Sequence, residues 1–112
     1  MTNFHPSLAS GRWFTFSIAT QLGNIGSEVG RSINWKEKKM SRPAKLALER
    51  ALELFDLSLA DERWKGARRR EIARAREVVC DFLVGDNQYK SDSRGLQKYF
   101  DAYALAARRL SN

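Results

Sequence analysis

The 112-residue chain is poor in the residues on which most protein chemistry depends. Its one cysteine, Cys80, excludes an internal disulfide, a paired-thiol redox site and a zinc cluster built on thiolates. Its one histidine, His5, lies near the start of the chain, which removes most acid–base and metal chemistry that relies on imidazole. Two prolines and seven glycines are too few for a turn-rich β-sandwich. No apolar run approaches the roughly 18 residues of a membrane span. No basic stretch followed by an apolar one opens the chain, so a secretory leader is not expected. Acidic residues are also in deficit, 13 against 20 Lys and Arg, for a net charge of +7.

What is present is enough for one compact domain. Leu, Ile, Val and Phe number 26, and a core of this size buries roughly 65% of the unfolded surface without disulfides or metal. Residues 1–12 have no periodicity and read as a flexible N-terminal arm, with His5 an exposed spectator. Residues 13–112 read as an all-α domain, a single antiparallel up-and-down four-helix bundle.

The first helix is predicted from Trp13 to about Lys38. Phe14, Ile18, Leu22, Ile25, Val29 and Ile33 hold one face, while Trp13, Phe16 and Trp35 project elsewhere as exposed aromatics. A second line, Ala19, Gly23, Gly26 and Gly30, keeps helical spacing. Interior glycine costs a helix about 1 kcal/mol relative to alanine, so the line implies close approach of another backbone, inside the bundle or across a dimer.

The second helix is predicted over Pro43–Ala60, with Ser41 as its N-cap. The third runs from about Ala67 to Val84 and stops at Gly85, with Ile72, Ala75, Val79, Phe82 and Leu83 inward. Arg70, Arg74, Glu77 and Asp81 point directly away, and Cys80 flanks the stripe as a small packed residue. The fourth helix, capped by Ser91, Asp92 or Ser93, carries Leu96, Tyr99, Tyr103, Ala106, Ala107 and Leu110, with Phe100 beside them.

Motifs for known chemistry are missing. The predicted helices lack the histidines of a di-iron bundle, and residues 86–90 lack the spacing and glycine of a calcium loop. No phosphate-binding glycine loop occurs. HEPN-type ribonucleases, an enzyme class built on small helical bundles, carry an Arg four to six residues before a His, and no Arg precedes His5. A nuclease would need Glu28, Glu77 or Asp81 as base. Gln21 and Asn24 flank the first stripe. Glu28, Arg76 and Tyr103 read as a polar cluster between helices, structural before it is a ligand site. No catalytic residue, metal, cofactor or small-molecule substrate is therefore expected.

The positive signal is basic. Residues 63–76 carry seven cations against Glu71, and residues 36–45 carry five against Glu37. Arginine forks suit phosphate, and contacts of that kind bind without reading base sequence. The alternative is a solvated helix face held by pairs such as Arg74–Glu77. The chain therefore reads as a non-catalytic module for nucleic-acid backbone or an acidic partner, and the candidate nucleic-acid-binding set is Arg68, Arg69, Arg70, Arg74, Lys36, Lys38, Lys39 and Arg42. The rival is a homo-oligomeric scaffold joined through Ala19, Gly23, Gly26 and Gly30. A lone thiol fits a reducing, cytoplasmic setting.

The runs Gln21–Lys36, Arg50–Asp61 and Arg70–Tyr89 resemble a group of small prokaryotic helical proteins of no established activity. More distantly, the architecture is similar to the four-helix bundles encoded in ribosomal RNA intervening sequences and to the basic accessory proteins of retroelements. That resemblance implies a nucleic-acid association and oligomers, and it transfers no site residue.

Overall fold

The structure, a computed structural model, describes residues 5–111. Among them there is no strand. A helical turn α1 (Pro6–Ala9) and a 3-10 turn (Arg12–Thr15) precede four long helices, α2 (Ile18–Glu37), α3 (Ser41–Ala60), α4 (Ala67–Leu83) and α5 (Ser93–Ser111).

The first long helix starts five residues later than its periodicity predicts. Gly11 takes a φ of 132°, and the Ser17 side chain accepts the Thr20 N–H at 3.1 Å as a true N-cap. That break in helical phase turns Trp13 inward, where it is fully buried, and half-buries Phe16. Trp35 alone of the three remains exposed. The expected arm falls partly on residues 1–4, which lie outside the described residues. From His5 onward it is seated on α3: the His5 backbone N–H and Nδ1 both meet Glu53 Oε1, at 2.8 and 3.0 Å.

Other helix ends follow similar local logic. Ser41 is the first residue of α3 rather than its cap, and Met40 occupies the cap position. Gly85 stops α4 by close approach, not by a left-handed φ, since a Cβ there would lie 3.0 Å from the Asp81 carbonyl oxygen. Asp92 Oδ1 accepts the Gly95 N–H at 2.6 Å and caps α5. Leu110, expected on the inner stripe of α5, is largely exposed because it projects beyond the core.

Helix α2 is central and packs against both α3 and α5. Leu22, Ile25, Val29 and Ile33 enter a shared core with Phe55, Ile72, Val79 and Phe100. The glycine line faces α5 of the same chain. A Cβ at Gly23 would sit 3.1 Å from the Ala104 Cα, at Gly26 only 2.3 Å from the Phe100 Cβ, and at Gly30 2.7 Å from Gln97 Oε1. Those glycines therefore spend helix propensity on a near approach of α5.

At one end of the molecule a buried polar network ties the links together. Gln21, fully buried, donates through Nε2 to the Trp13 carbonyl and to Asp61 Oδ2, both at 3.0 Å. Its Oε1 accepts from Trp64 Nε1 and from the Ser58 hydroxyl, both at 2.8 Å, and Ser58 in turn accepts from Trp13 Nε1. Arg63 clamps both oxygens of Asp61, through Nε at 3.0 Å and Nη2 at 2.7 Å. Nearly every polar atom of this cluster has a partner, the condition under which a buried network stabilises a fold.

Candidate nucleic-acid interface

Helix α4 presents its arginines because its apolar residues recur on the opposite face. Ile72, Ala75, Val79 and Leu83 are buried, leaving Arg68, Arg69, Arg70 and Arg74 exposed. Among the described residues none of these four is ion-paired with a carboxylate. The Arg68 guanidinium lies 5.8 Å from the Trp64 ring centre, and that of Arg63 lies 4.4 Å from it. Arg69 donates to the Leu59 carbonyl and stitches α4 to the end of α3. Arg74 stacks over Tyr89 at 4.7 Å, and Arg70 points into solvent. Arg70, Arg74 and Arg76 line one open depression of about 610 Å³, with Glu77 and Cys80 in its floor. Burial raises the Cys80 thiol above its ordinary value, which keeps it protonated.

Several carboxylates near α4 are committed to other partners. The Arg74–Glu77 pair expected from spacing does not form, because Glu77 accepts the Tyr89 hydroxyl at 2.9 Å. Asp81 accepts the backbone N–H groups of Gln88 and Tyr89, holding the α4–α5 loop. Asp61 is held below the ordinary carboxylate range, chiefly by the Arg63 side chain and then by Gln21, against the opposing effect of burial.

The Glu28–Arg76–Tyr103 cluster is not assembled. Glu28 pairs with Arg31 at 2.9 Å, and Arg76 reaches Asp56 at 3.0 Å. Tyr103 instead joins Tyr99 in donating to Glu71 Oε1, the Tyr99 bond being 3.0 Å. Burial, followed by Tyr103 and Glu71, raises the Tyr99 phenol. Burial and Glu71 raise that of Tyr103. Both remain neutral donors near neutrality.

The second basic group sits at the other end of α4. Lys36 Nζ donates to the Leu83 carbonyl at 2.9 Å and to that of Phe82 at 3.4 Å, so it caps the helix that carries the arginines. Lys38 lies 5.5 Å from the Trp35 ring centre, and Lys39 takes a φ of 60° in the turn. Lys38, Lys39 and Arg42 are exposed. Along α4, Leu83 is about 22 Å from Arg68 and about 13 Å from Arg74 at 1.5 Å per residue, so the two basic groups lie toward different ends of the helix. Ala19 is buried, and Gly23, Gly26 and Gly30 are covered by α5, so the face foreseen for self-association is occupied within the chain.

Sequence spacing does not disclose the groove between α4 and α5. These two helices approach less closely than the α2–α3 and α2–α5 pairs. The gap, about 290 Å³, is lined mainly by Ala75, Val78, Leu96, Tyr99 and Phe100, with Glu71 and Arg74 also contributing. Among the described residues no cluster of three or more His, Cys, Asp or Glu is placed to hold a metal ion, and no helix is long and apolar enough to cross a membrane. No family model, curated protein or solved structure matches the chain.

Proposed function

We propose that this chain is a non-catalytic helical module that binds the phosphate backbone of RNA or DNA. One observation carries the reading: among the described residues Arg68, Arg69, Arg70 and Arg74 have no carboxylate partner, although one residue in nine or so of the chain is acidic. Asp61, Asp56, Glu71, Glu77 and Asp81 are engaged by Arg63, Arg76, tyrosines and loop N–H groups, so the carboxylates nearest α4 do not neutralise its outer arginines. Guanidinium groups in that state bind phosphate in a bidentate manner, without selecting base sequence. Lys38, Lys39 and Arg42 add a second contact region, and Lys36 holds the end of α4 in place beside it.

The scaffold is an antiparallel up-and-down bundle in this reading. Supporting it, Gln21 faces Ser58 while Ser32 donates to the Ala44 carbonyl, and Gly23 meets Ala104 while Gly30 meets Gln97. A cytoplasmic setting accords with the single cysteine, and the resemblance to nucleic-acid-associated bundles agrees with the ligand class. The test is a titration of binding to mixed-sequence oligonucleotides at several salt concentrations. Measurable affinity at low salt that falls steeply as salt rises is the expected result. No binding at low salt ends the proposal.

A further inference from the structure

Of the aromatic side chains among the described residues, only Trp35 and Tyr89 are exposed, at 38% and 42%; the others are buried or half-buried. Each of these two rings adjoins a cation of the candidate phosphate-binding set. The Lys38 ammonium lies 5.5 Å from the Trp35 ring centre, and the Arg74 guanidinium lies 4.7 Å from that of Tyr89. A single exposed apolar residue needs no explanation, but here both exposed rings fall at the basic groups. The other two tryptophans are built into the fold: the indole N–H groups of Trp13 and Trp64 donate into the Gln21 network at 3.0 and 2.8 Å. Trp35 Nε1 donates to no described residue. Its position, two residues past Ile33 on α2, turns it about 200° from the buried stripe. Tyr89 is fixed in the α4–α5 loop, since its backbone N–H is held by Asp81 and its hydroxyl donates to Glu77 at 2.9 Å.

We infer that the chain binds unpaired nucleic acid in preference to duplex, with bases stacked on Trp35 and Tyr89 and the adjoining phosphates on Lys38, Lys39 and Arg74. In a duplex the faces of the bases are covered by their neighbours, so a surface ring has nothing to stack on, and outer cations alone serve both forms. A single strand offers bare base faces between its phosphates, which suits rings set among cations. Such stacking tolerates any base, because every base has a π-face. The loop that carries Tyr89 starts beside the Leu83 carbonyl that Lys36 holds, and Lys36 follows Trp35 in the chain, so one strand can reach both rings. The inference rests on the backbone-binding reading and adds a preference for strand form to it.

Oligothymidylate and a mixed-sequence duplex of equal length, titrated at one low salt concentration, test the preference. The unaltered protein binds the single strand more tightly. Trp35 is the one exposed indole, so iodide quenching reads it apart from Trp13 and Trp64, and the bound single strand shields it. W35A weakens single-strand binding by on the order of tenfold and leaves duplex binding as it was. W35F, which keeps a π-face, retains most of the affinity, and W35A/Y89A abolishes the preference. Helical circular dichroism is unchanged in all three variants, because both positions are exposed. Equal or greater affinity of the unaltered protein for duplex, or a W35A loss that is absent, shared by duplex or matched in W35F, overturns the stacking and leaves backbone binding standing. Absence of binding to either form at low salt overturns both.

Discussion

Gln21 shows what single residues contribute here. It makes four hydrogen bonds with no exposed surface, joining the 3-10 turn, α3 and the α3–α4 link. Q21L would leave the Trp64 N–H and an Asp61 oxygen short of partners, at a cost of about 3 kcal/mol. A lower urea midpoint with an unchanged slope is the expected result. Asp61 gives the same cluster a pH limit. Because its folded-state pKa lies below the ordinary 3.8, its contribution is present above the unfolded carboxylate range. It is lost as pH falls through the folded value. Acid unfolding of the native chain should therefore steepen below about pH 4. In D61N the starting stability should be lower and that limb shallower, as followed by helical circular dichroism. Gln21 was legible as a residue flanking the stripe, but its partners were not. Trp13, Ser58, Asp61 and Trp64 are separated in sequence by up to 51 positions and meet only after the links fold back.

At the scale of elements, glycine spacing on α2 was readable as a demand for close approach, and α5 satisfies it. G26A should test this packing directly. Its new Cβ would lie 2.3 Å from the Phe100 Cβ, so overpacking exceeds the gain in helix propensity. A net destabilisation of about 1–2 kcal/mol, seen as a lower thermal midpoint, is expected. Lys36 acts on α4 from another helix. K36M should cost about 1 kcal/mol by removing the cation from the last carbonyls, with faster amide exchange near residues 80–84. Such a contact lies beyond periodicity, since Lys36 and Leu83 are 47 residues apart. The late start of α2 was illegible for a different reason. Phe14 keeps helical spacing with Ile18, yet Gly11 and the Ser17 cap impose a break between them.

For the whole molecule, the deciding quantity is how charge is distributed after the acids have chosen partners. R70E/R74E should retain helical content, because both positions are exposed, and should lose much of its oligonucleotide affinity. The slope of log affinity against log salt should become shallower by about 0.7 for each single-strand phosphate contact removed. K38E/K39E, at the other basic end, should reduce affinity independently, since even Arg74 lies about 13 Å along α4 from the end that Lys36 caps. A slope unchanged in both variants would place the interface elsewhere.

The order of residues alone determined the helical class, the stripe on each long helix, the two basic segments and the shortage of metal- or imidazole-based chemistry. These follow from local period and composition, which need no knowledge of neighbours. Tertiary structure decided which carboxylate met which cation, that α5 rather than a second chain filled the glycine face, and that α4 and α5 stand apart to leave a groove. Such outcomes depend on distances between segments remote in sequence, and a helical period carries no information about those distances.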